Sequence, residues 1–192
     1  MDQHRILVFV GSLRRESINR QLALALAAMA PDGFTLEMPR IDDVPPYNQD
    51  QDAQPPEPVL RLKNAVRNAD GIVFVTPEYN RSIPGVLKNV IDHVSRPSGQ
   101  SAWAGKPAGV IGASSGAIGT AVAQQHLRVI LAYLDVPTLG QPEAYIQHKP
   151  DLYGSDGRIA NEGTRKFVQG WLDAYVAFVQ AHGRDRMRAR TA

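Results

Sequence analysis

Short runs of apolar, mostly β-branched residues alternate along the chain with longer stretches whose apolar positions recur every three to four residues. Residues 6–10 (ILVFV) and 72–76 (IVFVT) have the pattern of buried strands. Residues 34–38 alternate as a half-buried strand does, and 108–112 and 135–139 complete a set of five. Between them, Ile18, Leu22, Ala25, Leu26 and Met29 share one helical face, as do Val59, Leu62 and Val66. Helices are therefore expected over 18–29 and 59–68, after Pro84, and over 119–134 and 163–180. Strands alternating with helices in this way predict an α/β domain with one parallel sheet covered on both faces. Residues 39–58 break the alternation. They are rich in Pro, Asp and Gln and read as a long surface loop that covers or borders a site.

Composition narrows the chemistry. The chain has no cysteine, which excludes disulfides, thiolate catalysis and Cys-ligated metal, so any redox chemistry has to come from a bound cofactor. The five histidines are scattered without metal-ligand spacing. No apolar run approaches the ~20 residues of a membrane span, and no cleavage site follows the short apolar run at the N-terminus. A cytoplasmic protein with no membrane contact is expected. The net charge is +2, but residues 184–190 (RDRMRAR) carry +3 and leave the body at −1. The basic pI thus reflects the tail, and no nucleic-acid face is expected. One domain is expected over residues 1–182, with 183–192 a disordered basic tail.

In an open parallel sheet, ligands bind beyond the C-terminal strand ends where the strand order switches. This rule selects three segments. Residues 11–19 (GSLRRESIN) join a strand to a helix start, where unpaired N–H groups and the helix dipole favour an anion. Ser12, Ser17 and Asn19 add neutral hydrogen-bonding groups and Arg14 a charge, a set suited to a phosphate monoester. Neither a P-loop nor a Gly-x-Gly-x-x-Gly fingerprint is present, so ATP or a Rossmann-bound dinucleotide is not the expected ligand. Residues 76–85 (TPEYNRSIPG) offer a Tyr ring and restricted backbone that could wall a planar ligand. Residues 112–119 (GASSGAIG) are small enough for backbone to approach one. A phosphate on one side and a slot for a flat polar ring on the other match the shape of FMN.

Gly11-Ser12-Leu13-Arg14 with Ser17 and Asn19, then Pro77-Glu78-Tyr79-Asn80 with Ser82, Pro84-Gly85, Leu87-Lys88-Asn89 and Asp92, then Ser114-Ser115-Gly116 with Gly119, together resemble the three signatures of the NADPH-dependent FMN reductase family. The resemblance covers about residues 5 to 180. It implies a flavodoxin-like, doubly wound five-stranded parallel sheet in the order 2-1-3-4-5. It also implies that Ser12, Arg14, Ser17, Ile18 and Asn19 hold the FMN phosphate. Pro77, Glu78, Tyr79, Asn80 and Arg81, with Ser114, Ser115 and Gly116, would line the ring. His93 stands where many members carry an aromatic residue, often Trp.

The implied activity is a ping-pong transfer of electrons from NADPH or NADH, through the flavin, to a small-molecule acceptor: quinone, flavin, chromate or azo compound. No protein catalytic residue is required, because the flavin carries the chemistry. Members are commonly homodimers or homotetramers, and the apolar circumference of residues 119–134 is consistent with a second subunit. A flavodoxin-like electron carrier is the alternative, although the near-neutral body lacks the acidic docking surface typical of one. A hydrolase using the first loop alone would leave the other two unexplained. Arg15 and Arg81 are the candidate cations for a 2′-phosphate that distinguishes NADPH from NADH.

Overall fold

The computed structural model describes the backbone of residues 3–191 and the side chains of residues 3–183. Strands β1 (His4–Val10), β2 (Phe34–Glu37), β3 (Gly71–Val75), β4 (Ala108–Ser114) and β5 (Ala144–Gln147) form one parallel sheet ordered β2-β1-β3-β4-β5. The helices are α1 (Ile18–Ala28), α2 (Glu57–Arg67), α3 (Gly85–Ser95), α4 (Ala121–Tyr133) and α5 (Glu162–Thr191). This is the flavodoxin-like arrangement, with the switch in strand order between β1 and β3.

Side chains alternate across each strand, and both faces are apolar. Ile6 and Val8 of β1 pack with α1 and α5 on one face, while Leu7 and Phe9 pack with α2, α3 and α4 on the other. Trp171 and Tyr175 of α5 are fully buried against the first face, and the Tyr175 hydroxyl donates to Ile72 O at 2.9 Å. Trp103 is buried on the second face and donates its indole N–H to Ile91 O at 3.0 Å. Fully burying each such apolar side chain stabilises the fold by about 1.5–3 kcal/mol.

Three elements differ from the sequence pattern. The fifth strand is Ala144–Gln147, not residues 135–139. Val136 and Leu139 are buried, but the segment makes a single bridge, Thr138 to Ala108, at the start of β4. Gly140, Gln141 and Pro142 then interrupt it, and Pro142 has no N–H to offer a ladder. Pairing resumes only at Ala144, opposite Ile111. Helix α5 runs past residue 180 to Thr191, and the side chains of the basic tail lie outside the described residues. The long segment after β2 contains a 3-10 turn, Gln49–Gln51, and is pinned to α3. Tyr47 N donates to Asn89 Oδ1 at 2.8 Å, Asn89 Nδ2 donates to Pro45 O at 2.8 Å, and His93 Nε2 lies 2.9 Å from the same oxygen.

Candidate functional site

Three loops leave the C-terminal ends of β1, β3 and β4: loop 1 (residues 11–17), loop 2 (76–84) and loop 3 (115–120). Their proximity follows from named contacts. A Cβ on Gly11 would meet Pro77 Cδ at 3.1 Å and Pro84 Cγ at 3.3 Å, so loops 1 and 2 touch across a position where a side chain would be crowded. A Cβ on Gly112 would overlap Thr76 O and Thr120 Oγ1, which brings the starts of loop 2 and α4 against β4.

Loop 1 ends in a capped helix. Ser17 has an extended backbone, and its Oγ accepts from Arg20 N at 3.1 Å. Among the described residues, no protein oxygen accepts the N–H groups of Ser12 to Glu16, nor those of Ile18 and Asn19 in the first turn of α1. These donors, together with the helix dipole, form an anion cradle. Arg14 is exposed, with only a 3.9 Å contact to Glu16.

Two of the residues assigned to the phosphate present less than their side chains suggest. Asn19 is buried; its Nδ2 donates to Ala113 O at 2.9 Å and its Oδ1 accepts from Ala113 N at 2.9 Å. Its amide joins α1 to the end of β4 and leaves its backbone N–H for a ligand. Ile18 packs its side chain against the core and likewise offers only its N–H.

Loop 2 turns back on itself. Tyr79 and Ser82 exchange backbone hydrogen bonds of 2.9 and 3.0 Å around Asn80 and Arg81, whose φ values are 51° and 63°. Two consecutive non-glycine residues with positive φ are strained, of order 1–3 kcal/mol each, and such strain concentrates at functional sites.

The Glu78 carboxylate faces away from the opening. Its Oε2 accepts from Val122 N and Ala123 N, both at 3.1 Å, and its Oε1 pairs with Arg81 at 3.3 Å. Thr120 supplies no side-chain cap to α4, so Glu78 performs that role from another loop. The Glu78 side chain is therefore a clamp between loop 2 and α4, and its backbone N–H has no protein acceptor among the described residues. His126 places Nδ1 3.1 Å from Ser82 Oγ and braces the same loop.

Loop 3 is closed by Ser114, whose hydroxyl donates to Gly119 O at 2.6 Å and accepts from Gly116 N at 3.2 Å. Ser114 thus shapes its turn with the group expected to face the ring. Among the described residues, the N–H groups of Glu78, Asn80, Arg81, Ser115, Ala117 and Ile118 have no protein acceptor. Each loop also exposes one large apolar side chain: Leu13, Tyr79 and Ile118. FMN fits this donor set, with the N–H groups of loop 1 for its phosphate, those of loops 2 and 3 for the polar edge of its ring, and exposed apolar surface beside its faces.

The described residues include no group of three or more His, Asp or Glu side chains able to hold a metal ion. Among the described residues, no helix is long and apolar enough to cross a membrane.

Known proteins share the sequence and fold of this chain. The model of a family described as NADPH-dependent FMN reductase matches residues 4–151. A 2-hydroxy-1,4-benzoquinone reductase from Burkholderia sp. is 52% identical over 176 residues, covering 92% of this chain and 96% of that protein. A quinone reductase from Pseudomonas putida is 46% identical, covering 92% of this chain and 95% of that protein. Among solved structures, FerB, a flavoenzyme NAD(P)H:(acceptor) oxidoreductase from Paracoccus denitrificans, superposes with a TM-score of 0.90 at 44% identity and covers 93% of this chain and 98% of its own.

Proposed function

Because the chain belongs to the NADPH-dependent FMN reductase family, we propose that it is an FMN-dependent NAD(P)H oxidoreductase that delivers electrons to small acceptors, quinones first among them. The observation that carries this reading is the distribution of unpaired N–H groups over three touching loops, one cluster at a helix start and the others around a slot. FMN, when bound, supplies the redox chemistry, so that NADPH, a proton and a quinone are converted to NADP⁺ and a hydroquinone.

The chain's own residues bind and orient. Ser12, Arg14 and Ser17, with the N–H groups from Ser12 to Asn19, hold the phosphate. The N–H groups of Glu78, Asn80, Arg81, Ser115 and Ile118 meet the polar ring edge, where donors favour negative charge. Pro77 and Gly116 let backbone come close to the ring. Half-exposed Tyr79 walls the slot, and Leu13 and Ile118 add apolar surface for a flat acceptor. A quinone needs no protein nucleophile, which agrees with the absence of cysteine.

The test is a visible absorption spectrum of the purified protein, identification of the molecule released by heat, and NADPH oxidation with a soluble quinone and no partner protein. A flavin spectrum, FMN in the supernatant and rapid turnover are expected. Protein that stays colourless after saturation with FMN would overturn the reading. Turnover that requires a partner protein would move it to the electron-carrier class.

The assembly expected is a homodimer or homotetramer in the cytoplasm. Val129 and Tyr133 on α4 are 71% and 89% exposed beside a hollow of about 710 Å³ between α4 and the end of α3. An apolar helix face of this kind favours a second copy. Light scattering should give a dimer or tetramer mass, and Val129→Glu with Tyr133→Glu should lower it.

A further inference from the structure

Loop 1 has a second side. Away from loops 2 and 3 it borders a cavity of about 500 Å³, formed with β1, the first turn of α1 and the segment leaving β2. Four arginines line this cavity, Arg14, Arg15, Arg20 and Arg40, against a single carboxylate, Asp42. No residue of loop 2 or loop 3 lines it, so it lies outside the slot assigned to the flavin ring, although Ser12 and Arg14 border it and join it to the phosphate end of that site.

The four cations are not equivalent. Arg40 is held by Asp42 at 2.7 Å and lies 3.7 Å from Asp43, and these carboxylates raise its pKa further. Arg14 has its long contact to Glu16. Arg15 and Arg20 form no ion pair among the described residues, and both are exposed where they line the cavity. Arg81, the other sequence candidate for this chemistry, is paired with Glu78 in loop 2. A guanidinium group matches phosphate through its planar fork of donors. Met38 and Pro39 line the same cavity and offer apolar surface on which a purine can rest.

We propose that this cavity receives the adenosine 2′-phosphate of NADPH, and that Arg15 and Arg20 set the preference for NADPH over NADH. The inference rests on the reading that a nicotinamide donor meets FMN at the three loops. A phosphate at the start of α1 and this cation cluster make two adjoining anion sites, with Ser12 and Arg14 between them. The first takes the flavin's phosphate. The second takes the phosphate that only one of the two nicotinamide donors carries. Phosphate monoester chemistry is common to both, and the experiment separates the two sources.

The enzyme is compared in its FMN-loaded form with Arg15→Ala, Arg20→Ala and the double variant, all at exposed positions. Steady-state rates with NADPH and with NADH are measured against one quinone. Flavin content is read from the spectrum, and binding of 2′-AMP, with 5′-AMP as control, is measured by calorimetry. For each single variant kcat/KM for NADPH should fall about tenfold through KM, while NADH is little changed. 2′-AMP should bind the parent protein more tightly than 5′-AMP and lose that advantage in the double variant. The NADPH preference should also weaken with added salt, as an exposed ionic contact does.

An unchanged donor ratio in the double variant would overturn the proposal. An equal loss for both donors would do the same, because it would put the arginines on the pyrophosphate the donors share. Loss of flavin from the variants would assign the cavity to the FMN phosphate and likewise overturn it. If the parent protein binds no flavin, the functional reading beneath fails, yet 2′-AMP binding still decides whether the cavity recognises this phosphate.

Discussion

Replacing Glu78 tests whether the slot is held by a side chain that does not face it. In Glu78→Ala, two α4 donors lose their acceptor. Ala123 is fully buried, so its N–H has poor access to water, and leaving it unsatisfied costs about 1–3 kcal/mol. Val122 is half-buried, and water replaces much of its lost bond. The carboxylate at the helix start also contributes roughly 0.3–1 kcal/mol through the dipole. The ion pair with Arg81, whose side chain is 69% exposed, adds little. The expected loss is therefore about 2–4 kcal/mol, or roughly 4–16 °C in Tm for a domain of this size. Glu78→Gln keeps an oxygen for the two N–H groups and should lose only about 1 kcal/mol. Urea denaturation of the apo-protein gives the stability. Equilibrium FMN titration then reports whether loop 2, released from α4, still presents the N–H groups of Asn80 and Arg81. Weaker FMN binding by the alanine variant than by the glutamine variant is expected. An alanine variant within about 0.5 kcal/mol of the parent, the ordinary scatter of a surface substitution, would refute the clamp.

Asn19→Ala should destabilise the protein by about 2–4 kcal/mol by orphaning both buried polar groups of Ala113, measured by the same denaturation, and should weaken FMN binding only as far as the loop 1 geometry relaxes. Tyr175→Phe removes the hydroxyl that donates to Ile72 O and should cost about 1 kcal/mol at neutral pH. Burial pushes the Tyr175 phenol well above its usual value of 10, so above pH 10 the unfolded chain releases a proton that the folded chain keeps. Stability is then fully present below pH 10 and lost as pH rises, at up to about 1.4 kcal/mol per pH unit for this one group; the phenylalanine variant should show a shallower alkaline decline in thermal melts. Gly112→Ala should fold poorly or lose flavin, because its methyl group would overlap Thr76 O and Thr120 Oγ1; a variant with parental Tm and FMN content would contradict the close approach of β4 to loop 2.

The sheet was legible because its strands are apolar on both faces, which marks residues 6–10 and 72–76 from composition alone. The fifth strand was not. Residues 135–139 offer Val136 and Leu139 to the core, yet a strand exists only where a neighbour supplies ladder partners, and the register of β4 is not written in the fifth segment. The three loops were legible for a different reason: small and polar residues just after apolar strands mark the switch point wherever the chain is doubly wound.

What the motif could not reveal was which of its members face a ligand and which hold the others in place. Asn19 reads as a phosphate ligand until its partner, 94 residues away, is known. Glu78 reads as part of a ring pocket until α4, 44 residues on, is seen to be capped by it. Ser114 likewise closes its own turn. All three are polar side chains in or next to the loops, and local sequence carries no signal that separates a ligand from a brace. The groups left free to meet FMN are mostly backbone N–H, which every residue but proline supplies. Side-chain identity in these loops therefore acts largely on loop shape, and shape decides where the donors point. On the outer side of loop 1 the logic reverses. A 2′-phosphate is distinguished there by charge, so side-chain identity at Arg15 and Arg20 carries the recognition, and substitutions at these two positions should act on donor choice and not on loop shape.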